Sequence, residues 1–135
     1  MFNEGFNSKM AAVIFDMDGL MFDTESFFTE VFVNMAHERG REFTYEIKRQ
    51  TMGRKHLEAM KILIDIWKTA DTPEGLVRES TQRYENLLIN QAPVVCDGLI
   101  ELLYNLNKSN VPCIIATASC TRWVELIREI GRAHV

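Results

Sequence analysis

The sequence predicts an α/β fold in which a parallel sheet is interrupted by an inserted block of helices. Three observations predict it. The run Ala11-Ala12-Val13-Ile14-Phe15 is apolar and rich in strand formers, and it ends abruptly in Asp16-Met17-Asp18-Gly19. A second such run, Pro112-Cys113-Ile114-Ile115-Ala116, ends in Thr117-Ala118-Ser119. Between them lie helical patterns over roughly 70 residues, whereas a parallel crossover needs only one helix. Open parallel sheets carry ligands at the carboxyl ends of their strands. Polar groups at both strand ends therefore favour this reading over a helical bundle with a short sheet.

The elements follow in order. A buried strand is expected over residues 11–16. Gly19 supplies the backbone freedom of a tight turn. A helix starts near Ser26, with Phe27, Phe28, Val31, Phe32 and Met35 on its apolar face, and Gly40 is its stop signal. A short helix covers residues 45–52 and ends at Gly53. In the next helix Leu57, Met60, Leu63, Ile64 and Trp67 fall on one stripe. Thr72-Pro73 restarts the chain as N-cap and first helical residue, for a helix running to about Leu88. Residues 90–93 read as a linker. Leu99, Leu102, Leu103 and Leu106 have the i, i+3, i+4, i+7 spacing of a short helix over residues 98–106. A second buried strand covers residues 112–116, and a last helix begins near Thr121.

The 135 residues suit one average domain. A net charge of −4 without a basic stripe argues against nucleic-acid binding. Cys96, Cys113 and Cys120 are an odd set without metal spacing. Cys113, inside an apolar run, is expected as a core thiol. A reducing, cytoplasmic setting fits better than a disulfide framework. No apolar run reaches about 18 residues, so no membrane span is expected. Residues 1–9 are polar and mixed and lack a secretory apolar region.

Asp16 and Asp18 carry the chemical argument. Charge at the end of a buried strand is costly unless a cation or a substrate offsets it. A calcium loop fits poorly, because Leu20 and Met21 stand where polar ligands belong and a strand precedes the pair. A capped turn explains one aspartate, but not two with Asp23 and Glu25 following. Aspartate also acts as a nucleophile that becomes an aspartyl-phosphate. A second carboxyl two residues on lies close enough to serve as acid and base, and Mg²⁺ would offset the like charges. Thr117 at a strand end is by itself an ordinary strand former. Beside Asp16, its hydroxyl and the neighbouring amides make a phosphate grip. Arg122 is a further anion contact or a solvated helix residue. His37 and His56 have no partner at ligand spacing and read as surface or packing residues. Trp67 and Trp123 read as core or interface anchors. The charges over residues 78–85 read as a solvated helix face.

These residues resemble a family. Val13-Ile14-Phe15-Asp16-Met17-Asp18-Gly19-Leu20 with Asp23-Thr24-Glu25 resembles motif one of the haloacid dehalogenase-like hydrolases, and residues 112–119 resemble motif two. The block between resembles the helical cap of the subfamily whose cap follows the first strand. Met52-Gly53-Arg54-Lys55 with Leu57-Glu58-Ala59, and the stretch 74–88, are similar to the pseudouridine-5′-phosphatase group and its glycerol-3-phosphate and FMN phosphatase relatives. The resemblance covers roughly residues 10 to 128.

The resemblance implies a Rossmann-like parallel sheet core, incomplete in this chain, with an inserted α-helical cap. The implied units are core residues 1–22, cap residues 23–92 and core residues 93–128. It implies Asp16 as nucleophile and Mg²⁺ ligand. Asp18 would be the general acid and base, and would give the metal its backbone carbonyl. Thr117 would hold the phosphoryl group, helped by Gly19, Ala118 and Ser119. A general acid must hold its proton near neutral pH to serve. The cap would exclude water and select the leaving group. Gly53-Arg54-Lys55 either faces the site or simply starts a helix. The implied reaction is hydrolysis of a small phosphomonoester, with pseudouridine 5′-phosphate leading. Glycerol 3-phosphate, FMN or a sugar phosphate, a phosphomutase reaction, and a truncated inactive protein remain open. The implied partner is a small phosphorylated metabolite, with neither nucleic acid nor membrane.

The family pattern also needs a lysine and an acidic pair after motif two, and only sixteen residues follow Ser119. The tail Glu129-Ile130-Gly131-Arg132-Ala133-His134-Val135 is what one frame of a sequencing-adapter oligonucleotide (AGATCGGAAGAGCACACGTC) encodes. Residues 129–135 are therefore expected to be adapter-derived, and the natural protein to be longer. The 135 residues alone are expected to be inactive and poorly stable.

Overall fold

The computed structural model describes residues 10–133. Residues 1–9, and His134 and Val135 of the tail, lie outside the described residues. The element order is β1 (Val13–Phe15), α1 (Glu25–Glu38), α2 (Tyr45–Thr51), α3 (His56–Trp67), α4 (Pro73–Asn90), α5 (Leu99–Lys108), β2 (Cys113–Ile115) and α6 (Thr121–Ala133). β1 and β2 pair in parallel, with Val13 opposite Cys113 and Phe15 opposite Ile115. The ladder is shorter than the apolar runs suggest. Flanking bonds from Val13 N–H to the Pro112 carbonyl and from Ala116 N–H to the Phe15 carbonyl extend it slightly.

Two apolar clusters organise the chain. The larger joins α1, α3 and α4 through Val31, Met35, Met60, Leu63, Trp67, Leu76, Tyr84 and Leu88, with Ile127 of α6. The smaller surrounds the sheet with Phe15, Met21, Leu99 and Leu106. The helical stripes explain the first cluster: Met60, Leu63 and Trp67 lie one turn apart and are buried together. Burying each such side chain contributes about 1.5–3 kcal/mol. Thr72 caps α4 as expected, accepting from Gly75 N–H at 3.1 Å, with Pro73 at the first helical position. The chain crosses between the clusters twice, side by side. Asp23 N–H donates to the Val94 carbonyl at 2.8 Å and Cys96 N–H to the Met21 carbonyl at 2.9 Å.

Three expectations are corrected. The strands are not buried throughout: Ile14 is 68% exposed and Ile114 57%. Cys113 is exposed rather than a core thiol. Both corrections share one cause, since among the described residues β1 and β2 have only each other as sheet neighbours. The charges over residues 78–85 are not a purely solvated face either. Arg39, which follows the last residue of α1, forks onto Asp71 at 2.9 and 3.0 Å and reaches Glu79 at 2.6 Å, while Arg83 pairs with both Glu38 and Glu79. This network ties α1 to α4 around the apolar stripe. No helix among the described residues is long and apolar enough to cross a membrane.

Candidate active site

Parallel pairing continued by one residue sets Asp16, just after β1, opposite Ala116, with Thr117 the next residue along after β2. Asp16 is exposed. Asp18 sits two residues further on in a turn closed by Gly19, whose φ of 73° is the left-handed conformation that suits glycine. The Gly19 amide donates to the Phe22 carbonyl at 2.8 Å, so that donor is already used in closing the turn.

The Asp18 carboxylate is enclosed by three hydroxyls. Thr24 donates to Oδ1 at 2.9 Å. Thr117 and Ser119 donate to Oδ2 at 3.1 and 2.6 Å. Ser119 N–H in turn donates to Thr117 Oγ1 at 3.0 Å. The sequence placed Asp18, Thr117 and Ser119 in one site, and the structure brings them together. Thr24 had no role assigned. Its position at the start of α1 suggests a helix cap, but its side chain makes no cap bond. Asp23 does that work instead, accepting from Ser26 N–H at 3.1 Å. The Thr24 hydroxyl is thereby left for Asp18.

A cavity of about 580 Å³ opens between the helical layer and this site, lined by residues that include Phe28, Phe32, Phe43, Trp123 and Ala118. Cations stand at its wall. Lys48 pairs with Glu25 at 2.9 Å and donates to Thr29 at 2.8 Å, and Arg54 pairs with Glu58 at 3.0 Å. Arg54 thus lines the cavity while also pairing with the first turn of α3. Arg122 lies elsewhere, paired with Glu85 at 3.1 Å.

His56 lines the same cavity, and burial lowers its pKa below the ordinary histidine value. Its Nε2 meets Ser80 Oγ at 3.1 Å, while Ser80 donates its one proton to the Val77 carbonyl. Nε2 must therefore carry the imidazole proton, which leaves Nδ1 as an acceptor. Tyr84 and Trp123 pack with Phe28 as an aromatic trio, with ring centroids 4.2 to 5.8 Å apart. Burial, and next the charge of Asp18, push the Tyr84 phenol well above its ordinary value. No run of spacing in the sequence marks Tyr84 or His56 as neighbours of this site, because both reach it through the packing of α1, α3 and α4.

Mg²⁺ favours hard oxygen donors, takes one or two carboxylates and keeps several waters. The exposed Asp16 carboxylate and the Asp18 carbonyl, which accepts no backbone bond among the described residues, suit it. No group of three His, Cys, Asp or Glu residues able to hold a metal occurs among the described residues.

Residues 13–130 match the family model described as haloacid dehalogenase-like hydrolase. The chain belongs to the haloacid dehalogenase-like hydrolase family. It is 34% identical over 116 residues to (DL)-glycerol-3-phosphatase 2 of Arabidopsis thaliana, covering 84% of this chain and 48% of that protein. It is 30% identical over 118 residues to a Drosophila melanogaster protein named "Probable pseudouridine-5'-phosphatase", covering 87% and 50%. A haloacid dehalogenase family hydrolase from Deinococcus radiodurans R1, solved with phosphate and sodium, superposes with a TM-score of 0.72 at 21% identity, covering 93% of this chain and 54% of that one. That last likeness is one of fold. The chain spans about half the length of these haloacid dehalogenase-like relatives.

Proposed function

We propose that the protein carrying this chain is a Mg²⁺-dependent phosphatase that hydrolyses a small phosphomonoester through an aspartyl-phosphate. The observation that carries the reading is an Asp18 carboxylate held by Thr117 and Ser119 across the ends of two parallel strands, two residues along the chain from the exposed Asp16. In the first step an Asp16 carboxylate oxygen attacks phosphorus. The bond from phosphorus to the leaving oxygen breaks, and its electron pair takes a proton from Asp18. In the second step water attacks phosphorus, gives its proton to Asp18 and releases inorganic phosphate with the Asp16 carboxylate. Thr117 and Ser119 turn their hydroxyls to the phosphoryl oxygens. Asp16 and the Asp18 carbonyl would hold the ion, which when bound neutralises charge on the phosphate and the nucleophile.

Pseudouridine 5′-phosphate is the favoured substrate. Phe28, Phe32, Phe43 and Trp123 give the cavity flat apolar walls, which suit a base better than glycerol. The 34% identity to a glycerol-3-phosphatase supports glycerol 3-phosphate as the second reading. Residues 23–92 would act as the cap, and residues 1–22 and 93–128 as parts of the core. The setting would be reducing, with no nucleic-acid or membrane partner.

The test is kcat/KM of the full-length protein, with Mg²⁺, on pseudouridine 5′-phosphate, glycerol 3-phosphate, FMN and a hexose phosphate. Asp16→Asn is expected to cost about a thousandfold or more, as for loss of a nucleophile. Equal activity of wild type and Asp16→Asn would sink the mechanism. A preference for glycerol 3-phosphate would sink only the substrate assignment.

A further inference from the structure

His56 opens α3, and its imidazole is partly buried in the wall of the cavity that Ala118 lines from the strand-end side. The ring is fixed at one end. Nε2 lies 3.1 Å from the Oγ of buried Ser80, whose hydroxyl gives its proton to the Val77 carbonyl at 3.1 Å. A hydroxyl has one proton, so Nε2 donates and Nδ1 is left as an acceptor. Nδ1 accepts no hydrogen bond among the described residues. It is not among the unpartnered side-chain atoms shut off from solvent there, which are Thr69 Oγ1, the Tyr84 hydroxyl and Trp123 Nε1. It is therefore open to a ligand in the cavity that His56 lines. Burial disfavours the imidazolium, so the ring stays neutral near pH 7 and keeps its acceptor. The rest of the wall narrows what that acceptor meets. Its two cations are already paired, Lys48 with Glu25 at 2.9 Å and Arg54 with Glu58 at 3.0 Å. An anionic leaving group would have to displace one of those carboxylates, and a neutral one would not.

We propose that His56 is a specificity-determining residue whose Nδ1 accepts a hydrogen bond from an N–H or O–H of a neutral leaving group. Ser80 sets this preference, because it fixes the tautomer from the far side of the ring. An ester whose leaving group lacks the donor would cover Nδ1 without pairing it, and an acceptor cut off from water costs more than the bond itself gains. His56 meets the substrate away from phosphorus, so it acts on the choice of ester and not on phosphoryl transfer.

The inference rests on the proposed phosphatase reading, and its test separates the two. The full-length protein, with Mg²⁺, is assayed as kcat/KM on two esters. One is pseudouridine 5′-phosphate or glycerol 3-phosphate, whichever wild type turns over faster, and its leaving group carries N–H or O–H donors. The other is p-nitrophenyl phosphate, whose leaving group carries none. His56→Phe keeps a flat ring and removes both ring nitrogens. The ratio of kcat/KM on the first ester to that on the second is expected to fall about five- to tenfold, the worth of one hydrogen bond. His56→Asn places an amide oxygen near the Nδ1 position and is expected to recover most of the ratio. Ser80→Ala releases the tautomer and is expected to lower the ratio about twofold. Thermal melts check that each variant folds, and Ser80→Ala carries the comparison if His56→Phe does not. An unchanged or raised ratio in the variant compared, or no recovery in His56→Asn, would overturn the inference and leave the phosphatase reading standing. No turnover of any of these esters by wild type would overturn both.

Discussion

Ser119 Oγ donates to Asp18 Oδ2 at 2.6 Å, across 101 residues of chain. This bond and the Thr117 bond beside it join the end of the second strand to the turn after the first. The carboxylate they hold is only partly buried, so water recovers some of what their loss would cost. Ser119→Ala is expected to lower kcat/KM about tenfold. Thr117→Val is expected to cost more, because Thr117 also accepts the Ser119 amide at 3.0 Å. Steady-state assays of both variants check the order, and a smaller loss in Thr117→Val would contradict it.

Arg39 holds α1 to Asp71 and Glu79 through a planar fork that lysine cannot reproduce. Arg39→Met and Arg39→Lys are both expected to lose about 1–3 kcal/mol, less than for a fully buried pair because the fork is partly exposed. The hydrogen bond from Arg39 holds the Asp71 carboxyl below its ordinary value. Asp71 therefore contributes stability above its unfolded pKa near about 4, and loses it as pH falls through the lower folded value. Denaturant melts should show Asp71→Asn weaker than wild type at neutral pH, with the gap closing in acid. A gap that persists below pH 2 would rule out this linkage.

His56 predicts a loss of stability in the same direction, from falling pH, but in a higher pH window and for a different reason. Burial lowers its folded pKa, so the unfolded chain takes up a proton near about pH 6.5 while the folded chain still resists it. Above that pH both forms are neutral and His56 contributes no pH dependence. Below it the unfolded state binds more protons and stability falls, until the folded pKa is reached. Thermal melts from pH 7.5 to pH 5.5 should show this loss in wild type and a shallower one in His56→Gln. Parallel curves for the two proteins would show that His56 is not the group responsible.

Ile14, Ile114 and Ile115 are 68%, 57% and 50% exposed on a sheet of two strands. Apolar sheet faces and unpaired edges of this kind promote association. Residues 1–135 expressed by themselves are expected to bind a hydrophobic dye and to sediment as a concentration-dependent mixture. Ile14→Thr with Ile114→Thr is expected to reduce both. A sharp monomer boundary without dye binding would refute the expectation.

The sequence by itself determined the helices and the strand ends that border the candidate site. Thr72-Pro73 caps a helix, and the stripe Met60, Leu63 and Trp67 packs inward, because caps and periodicity are local properties of the backbone. The two strand ends carrying Asp16, Asp18, Thr117 and Ser119 were legible for the same reason, since an apolar run that stops at polar residues marks a strand end. Only the tertiary structure decided that Thr24 serves Asp18 rather than its own helix, that Tyr84 and His56 border the site, and that Arg39 joins charges from two other segments. It also decided that Cys113 and Ile14 lie exposed where an apolar run suggested a core. Which face of an element is covered, and which hydroxyl finds which acceptor, depends on residues distant in the chain. A local pattern holds no information about those distances until packing sets them.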